Sequence, residues 1–152
     1  MRVHISTDHA AFELKEFLVS ALTERGYEVV DHGATSYDAD DDYPDFIIPG
    51  AEGTVADPGS LGIVLGGSGN GEAMAANKVK GVRAALAYDL DTATLGRQHN
   101  DANVVSLGGR KHTQDEALEI VLAFLETPFS GEARHQRRID AMSRYEETGS
   151  LS

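Results

Sequence analysis

Cysteine is absent from this chain of 152 residues. That excludes disulfides, thiolate metal sites, iron–sulfur clusters and a cysteine nucleophile. It also leans the expectation toward the cytoplasm. No apolar run approaches the length of a membrane span. The N-terminus, MRVHISTDHAAF, has no charged region followed by an apolar stretch, so no secretory leader is expected. Positive charge is scarce: 13 Lys and Arg stand against 25 Asp and Glu, a net charge of −12. Such a field repels phosphate backbones, and no nucleic-acid partner is expected. The six histidines show neither H-x-x-H nor HExxH spacing, so no metal is expected. There is no internal repeat and no second domain; residues 1–152 read as one domain with one core.

What is present is a strict alternation of short apolar runs and helical stripes. Val3–Ser6 reads as a strand. Leu14, Phe17, Leu18, Ala21 and Leu22 follow with the spacing of a buried helical face, stopped by Gly26. Tyr27–Asp31 is a second strand, and His32–Asp45 a loop. Pro44 opens a helix running to about Val55. Asp57-Pro58-Gly59 is a turn. Leu61–Leu65 is a third strand, Glu72–Val79 a helix, Arg83–Ala87 a fourth strand, and Asp89–His99 a helix capped by Asp89 or Asp91. Asn103–Leu107 is a fifth strand. Thr113-x-x-Glu116 is a capping box opening the helix that buries Ala117, Ile120, Val121, Phe124 and Leu125. A last helix spans about Gly131 to Glu147. Its apolar residues, Ile139, Met142 and Tyr145, are too sparse for burial within one domain, which points to packing on a second subunit. The pattern predicts an α/β fold: a Rossmann-like α/β/α sandwich on a five-stranded parallel sheet.

Ligands of such sheets bind at the carboxyl ends of the strands. Three segments fall there: Thr7-Asp8-His9, Gly66-Gly67-Ser68-Gly69-Asn70-Gly71-Glu72, and Gly108-Gly109-Arg110. The second has four glycines in six residues, followed by a helix, and suits an anion held by backbone N–H groups. It is not a dinucleotide fingerprint, a P-loop or a nucleophile elbow, because Glu72, the missing Gly-Lys-Ser/Thr ending and Asn70 break those patterns. Glu72 has two readings: a partner of the helix dipole, or a general base beside an oxyanion site. Asp8 could cap the turn that follows it. His99 could be a partner of its helix C-terminus. Arg134 and Arg138, four apart, share a helical face suited to a phosphate monoester; a solvated basic face is the plainer reading. The acidic run Asp38, Asp40, Asp41, Asp42 reads as solvated loop.

Taken in order, Asp8-His9, GGSGNGE, Ala75-Ala76-Asn77-Lys78, Arg97-Gln98-His99-Asn100, Gly108-Gly109-Arg110 and Arg134-His135-Gln136-Arg137-Arg138 resemble the type B ribose-5-phosphate isomerases, a family that includes galactose- and allose-6-phosphate isomerases. The resemblance runs from Val3 to about Tyr145. It implies a metal-free, cofactor-free enzyme of the pentose phosphate pathway. Such an enzyme works as a homodimer or dimer of dimers whose sites are shared between subunits, and interconverts ribose 5-phosphate and ribulose 5-phosphate through a cis-enediolate. Many members carry a cysteine base where this chain has Ser68. The actinobacterial-type branch, which this chain resembles, uses the glutamate matching Glu72 instead. On that resemblance Glu72 is the base and His99 opens the sugar ring, a task Asp8 and His9 could share. Ser68, Asn100 and the amides of Gly67, Gly69, Asn70 and Gly71 hold the enediolate. Asp8 and His9 contact sugar hydroxyls, and Arg110, with Arg134 and Arg138 contributed by the second subunit, takes the phosphate. The alternatives are the same chemistry on a six- or four-carbon sugar phosphate, a non-catalytic phosphate-binding module, or a serine hydrolase using Ser68.

Overall fold

A computed structural model describes residues 1–152. Five strands, β1 (Arg2–Thr7), β2 (Glu28–Asp31), β3 (Leu61–Gly66), β4 (Ala84–Leu86) and β5 (Val104–Gly108), form one sheet in the order β2-β1-β3-β5-β4. Every neighbouring pair is parallel. The connecting helices are α1 (Phe12–Glu24), α2 (Pro44–Val55), α3 (Asn70–Ala76) and α4 (Leu90–Asn100), followed by α5 (Gln114–Glu126) and α6 (Ala133–Thr148). The expected five-stranded parallel sheet with helices on both faces is the fold found. No helix is long and apolar enough to cross a membrane.

The period-2 alternation of the strands feeds two cores. Val3, Ile5, Leu61, Ile63, Leu65, Val105 and Leu107 point to one face, where α1, α4 and α5 bring Leu14, Leu18, Leu22, Ala93, Val121 and Phe124. Val64 and Val104 point to the other, against Ile47 and Ala51 of α2 and Ala75 and Ala76 of α3. Burying a side chain of this size contributes about 1.5–3 kcal/mol. The two faces together explain why the strands read as continuous apolar runs.

Capping sets the helix starts. Thr113 Oγ1 accepts the Glu116 N–H at 3.1 Å while the Glu116 carboxylate accepts the Thr113 N–H at 2.9 Å. Asp89 plays the same part with Thr92 at the head of α4. Two elements, α3 and β4, have boundaries other than those expected. α3 starts two residues early because Gly69 turns the chain at φ +87°, and it ends early because the Asn77 side chain bonds both backbone groups of Ala84. The edge strand β4 is short because the Arg83 N–H goes to the Asn103 side chain instead of the ladder. The first helix also hides a surprise: Lys15, next to the apolar stripe, is fully buried, and its ammonium pairs with Asp31 at 2.6 Å and Glu16 at 3.0 Å.

α6 lies against the end of α4. Ile139 is buried within this chain, whereas Met142 and Tyr145 are half-exposed or more. The apolar residues expected to face a second subunit are therefore two, not three.

Candidate active site

Strand order reverses direction between β1 and β3: the chain leaves β1 toward β2 and later returns to the opposite side. Such a switch point opens a crevice beyond the carboxyl ends of the two strands. Here it is a cavity of about 580 Å³ lined by Asp8, His9, Ala10, Tyr43, Gly67, Ser68, Gly71, Glu72, Arg110 and Lys111. All three segments that sequence placed at strand ends meet in it.

The walls are locked together by backbone bonds. The Gly109 N–H donates to the Gly66 carbonyl at 2.7 Å, and the Arg110 N–H to the Gly67 carbonyl at 3.1 Å. Ser106 Oγ donates to the Gly69 carbonyl at 2.7 Å, and the Tyr88 hydroxyl to the Ser68 carbonyl at 2.9 Å. Glycine is required at two places here. Gly69 holds φ +87°, which side chains rarely adopt, and Gly108 passes so close to the Ser68 backbone that a Cβ would meet its carbonyl oxygen at 2.6 Å. The glycine-rich segment is thus a rigid cradle.

Glu72 sits in the first turn of α3, but its carboxylate folds back over Gly66, in the space a Cβ there would need. It is 5% exposed, and no cation pairs with it. Burial pushes its carboxyl above the usual range, and the charge of nearby Asp8 adds to this. Backbone N–H groups of Glu72 and Gly69 pull the other way. Ser68 Oγ accepts the Asn70 N–H at 3.2 Å, leaving its own proton to give. The Arg110 guanidinium lies over Gly67 and has no carboxylate partner. Asp8 is buried and accepts the Ala10 N–H at 2.9 Å, so it caps the turn after β1 while it lines the cavity.

His9 donates Nδ1–H to Asp41 at 2.6 Å. Asp41 was expected among solvated loop acids; instead its side chain is only 8% exposed. The reason is long-range: the loop after β2 folds across the cavity mouth, bringing Tyr37 edge-on to His9 and Tyr43 over Gly71. Asp8, His9 and Asp41 have donor atoms within 4.8 Å of one another, a set that sequence spacing could not show.

The remaining candidate residues are elsewhere. α4 starts beside the cradle and runs back along the sheet, so His99 and Asn100 lie at its far end, where β5 begins. Five strand residues span about 16 Å. There His99 stacks on His135 at 4.2 Å between ring centroids, and burial holds the His135 imidazole below its ordinary pKa. Arg134 is taken by Glu132 at 2.8 Å, while Arg138 has no carboxylate partner. One chain thus assembles Asp8, His9, Gly67, Ser68, Gly71, Glu72 and Arg110, with Gly69 and Asn70 in the same loop, and keeps His99, Asn100, Arg134 and Arg138 apart from them.

Residues 3–142 match the family model described as Ribose/Galactose Isomerase. The chain belongs to the ribose/galactose isomerase family. Within this family, Ribose-5-phosphate isomerase B of Mycolicibacterium paratuberculosis is 59% identical over 148 residues, covering 97% of this chain and 93% of its own length. The protein of that name from Mycobacterium tuberculosis is also 59% identical, over 97% of this chain and 91% of its own length. Among solved structures, ribose-5-phosphate isomerase B from Mycoplasma genitalium with bound ribulose-5-phosphate superposes with a TM-score of 0.92. It is 44% identical, and 97% of each chain is covered. The Clostridium thermocellum structure gives 0.93 at 40% identity, covering 99% of this chain and all of its own.

Proposed function

We propose that this isomerase interconverts ribose 5-phosphate and ribulose 5-phosphate, with Glu72 as the base. The observation that carries the reading is the buried, unpaired Glu72 carboxylate in a cavity that also holds an unpaired guanidinium, Arg110, and a free hydroxyl proton on Ser68. The names of its relatives give the substrate class.

The chemistry follows from what each group can do. Glu72 takes the proton from C2 of the open-chain aldose; the electron pair of that bond forms the C1–C2 double bond while the C1 carbonyl π pair moves onto O1, giving a cis-enediolate. Glu72 then returns the proton to C1 through the C1–C2 π pair, the O2–H electron pair forms the C2 carbonyl, and the O2 proton passes to O1, leaving the ketose. A carboxylate whose pKa is raised by burial is a stronger base than a solvated one, and it can return the proton in a freely reversible step. Ser68 and the amides of the glycine segment hold the oxygens on which negative charge grows. Asp8 and His9 bind sugar hydroxyls. Arg110 takes the phosphate.

His99, which opens the sugar ring, Asn100, Arg134 and Arg138 belong to the same reaction, and a second copy of the chain brings them to the cavity. Support for this comes from the unpaired Arg138, from the exposed Met142 and Tyr145 on the same helix, and from the inability of one chain to join the two groups. Isomerisation in heavy water tests the function. Ribose 5-phosphate should be converted with some exchange of its C2 hydrogen for solvent, insensitive to chelators, and faster than galactose 6-phosphate, allose 6-phosphate or a tetrose phosphate. Preference for another member of that panel would reassign the substrate, and binding without turnover would reject the enzyme reading.

A further inference from the structure

Asp41 is the most unusual group near the cavity. It does not line the cavity, yet its side chain is nearly buried and its Oδ2 has no hydrogen-bond partner. Burying a carboxylate away from water is unfavourable unless it is well bonded. All of its bonding is to His9. One oxygen, Oδ1, accepts both Nδ1–H at 2.6 Å and the backbone N–H of the same residue at 3.1 Å. Tyr37 closes on the ring edge-on, 6.2 Å away and nearly perpendicular.

We propose that Asp41 is a positioning residue that fixes the tautomer and rotamer of His9, so that Nε2 faces the bound sugar phosphate. The inference rests on the reading of the cavity as the isomerase site. A carboxylate can only accept, so the His9 proton must sit on Nδ1 whenever the bond exists. That leaves Nε2 as the nitrogen for substrate, and in the charged ring it is a donor. The bond to Asp41 also raises the readiness of His9 to hold its second proton; Asp8 adds to this and Arg110 opposes it. No sequence spacing signals the pair, because 32 positions separate its members.

Three variants test it. Asp41→Ala should raise KM for ribose 5-phosphate about tenfold, the usual scale for a charge-assisted bond, with kcat changed much less. Asp41→Asn keeps an accepting oxygen and should restore most of the KM while lowering the pH at which His9 titrates. Imidazole 15N spectra should show the Nδ1–H tautomer in the parent and in Asp41→Asn, and a tautomer mixture in Asp41→Ala. Adding His9→Gln to Asp41→Ala should cost little more than His9→Gln alone. Unchanged KM and tautomer in Asp41→Ala, or full additivity with His9→Gln, would overturn the proposal. Should Asp41→Ala fail to fold, Asp41→Asn decides alone: an unmoved His9 titration refutes the pairing. The spectra need no turnover, so they report on Asp41 even if the substrate assignment fails.

Discussion

The two ends of the sheet are built to different standards of completeness. At the carboxyl end, three loops are bonded to one another, and Glu72 is held buried over Gly66. At the amino end of β5, His99 rests on His135, Arg138 has no carboxylate partner, and Met142 and Tyr145 face outward. The first end is a closed cradle made by one chain. The second has a cavity of about 430 Å³ lined by Asn100 and Met142, but His99, Arg134 and Arg138 lie outside it. The difference is one of enclosure: at the carboxyl end the unpaired Arg110 lies in a cavity beside the buried Glu72, whereas at the amino end the unpaired Arg138 lies on an exposed helix face.

The largest effect should come from Glu72. Glu72→Gln should lower kcat by roughly a hundred- to ten-thousandfold, the usual worth of a general base, while substrate still binds. The same change should stabilise the fold. Because the folded carboxyl titrates above the unfolded one, the native state holds more protons in that window, and stability falls as pH rises through it. Gln removes the cost of ionising a buried carboxyl, so Tm should rise, and by more at higher pH. Loss of activity with loss of stability would make Glu72 a structural residue, and the contrast between the two ends would collapse.

Arg138→Ala should raise KM for ribose 5-phosphate about tenfold or more with kcat largely kept, as expected for a guanidinium–phosphate contact. Arg110→Ala, at the other end, should do the same. Comparable losses from residues about a strand length apart would tie both ends to one phosphate. An unchanged KM for Arg138→Ala would leave the amino end without a role.

The smallest effect is on acid stability. His4 bridges Asp57 and His32, at 2.8 Å to each, below α2. Burial, helped by the charge of His4, keeps His32 from protonating as readily as a free imidazole. Its folded pKa is depressed, so the stability it contributes is present above about pH 6.5 and lost as pH falls. Asp57, held well below the ordinary carboxylate range by Arg2 and then His4, loses its contribution only in much stronger acid. Thermal melts of His32→Gln should therefore vary less between pH 7 and pH 5 than those of the parent. Equal pH dependence would remove His32 from the account. The catalytic end should be unaffected, which separates folding pH from activity pH.

The fold was legible because periodicity is a local signal. Strand runs, the Leu14–Leu22 stripe and the Thr113 capping box each announce themselves within a few residues. The cradle was legible for the same reason: strand, glycines and helix are contiguous. Asp41 was not, because an acidic run in a loop looks the same whether it is solvated or folded over a histidine 32 positions away. Lys15 escaped for a related reason: its partner, Asp31, lies on another element. The set that includes both Glu72 and His99 rests on ordered resemblance, which implies Arg134 and Arg138 from a partner subunit but leaves open which chain supplies His99.

Two inactive variants in one assembly bear most directly on the claim that the ends meet across copies. Glu72→Gln and His99→Asn chains, carrying different tags, can be co-expressed and the hybrid isolated. If each site takes Glu72 from one chain and His99 from the other, one site carries both lesions and the other none, so the hybrid should show about half the parental activity. A hybrid as inactive as either variant alone would place both residues in one chain's site and contradict the account.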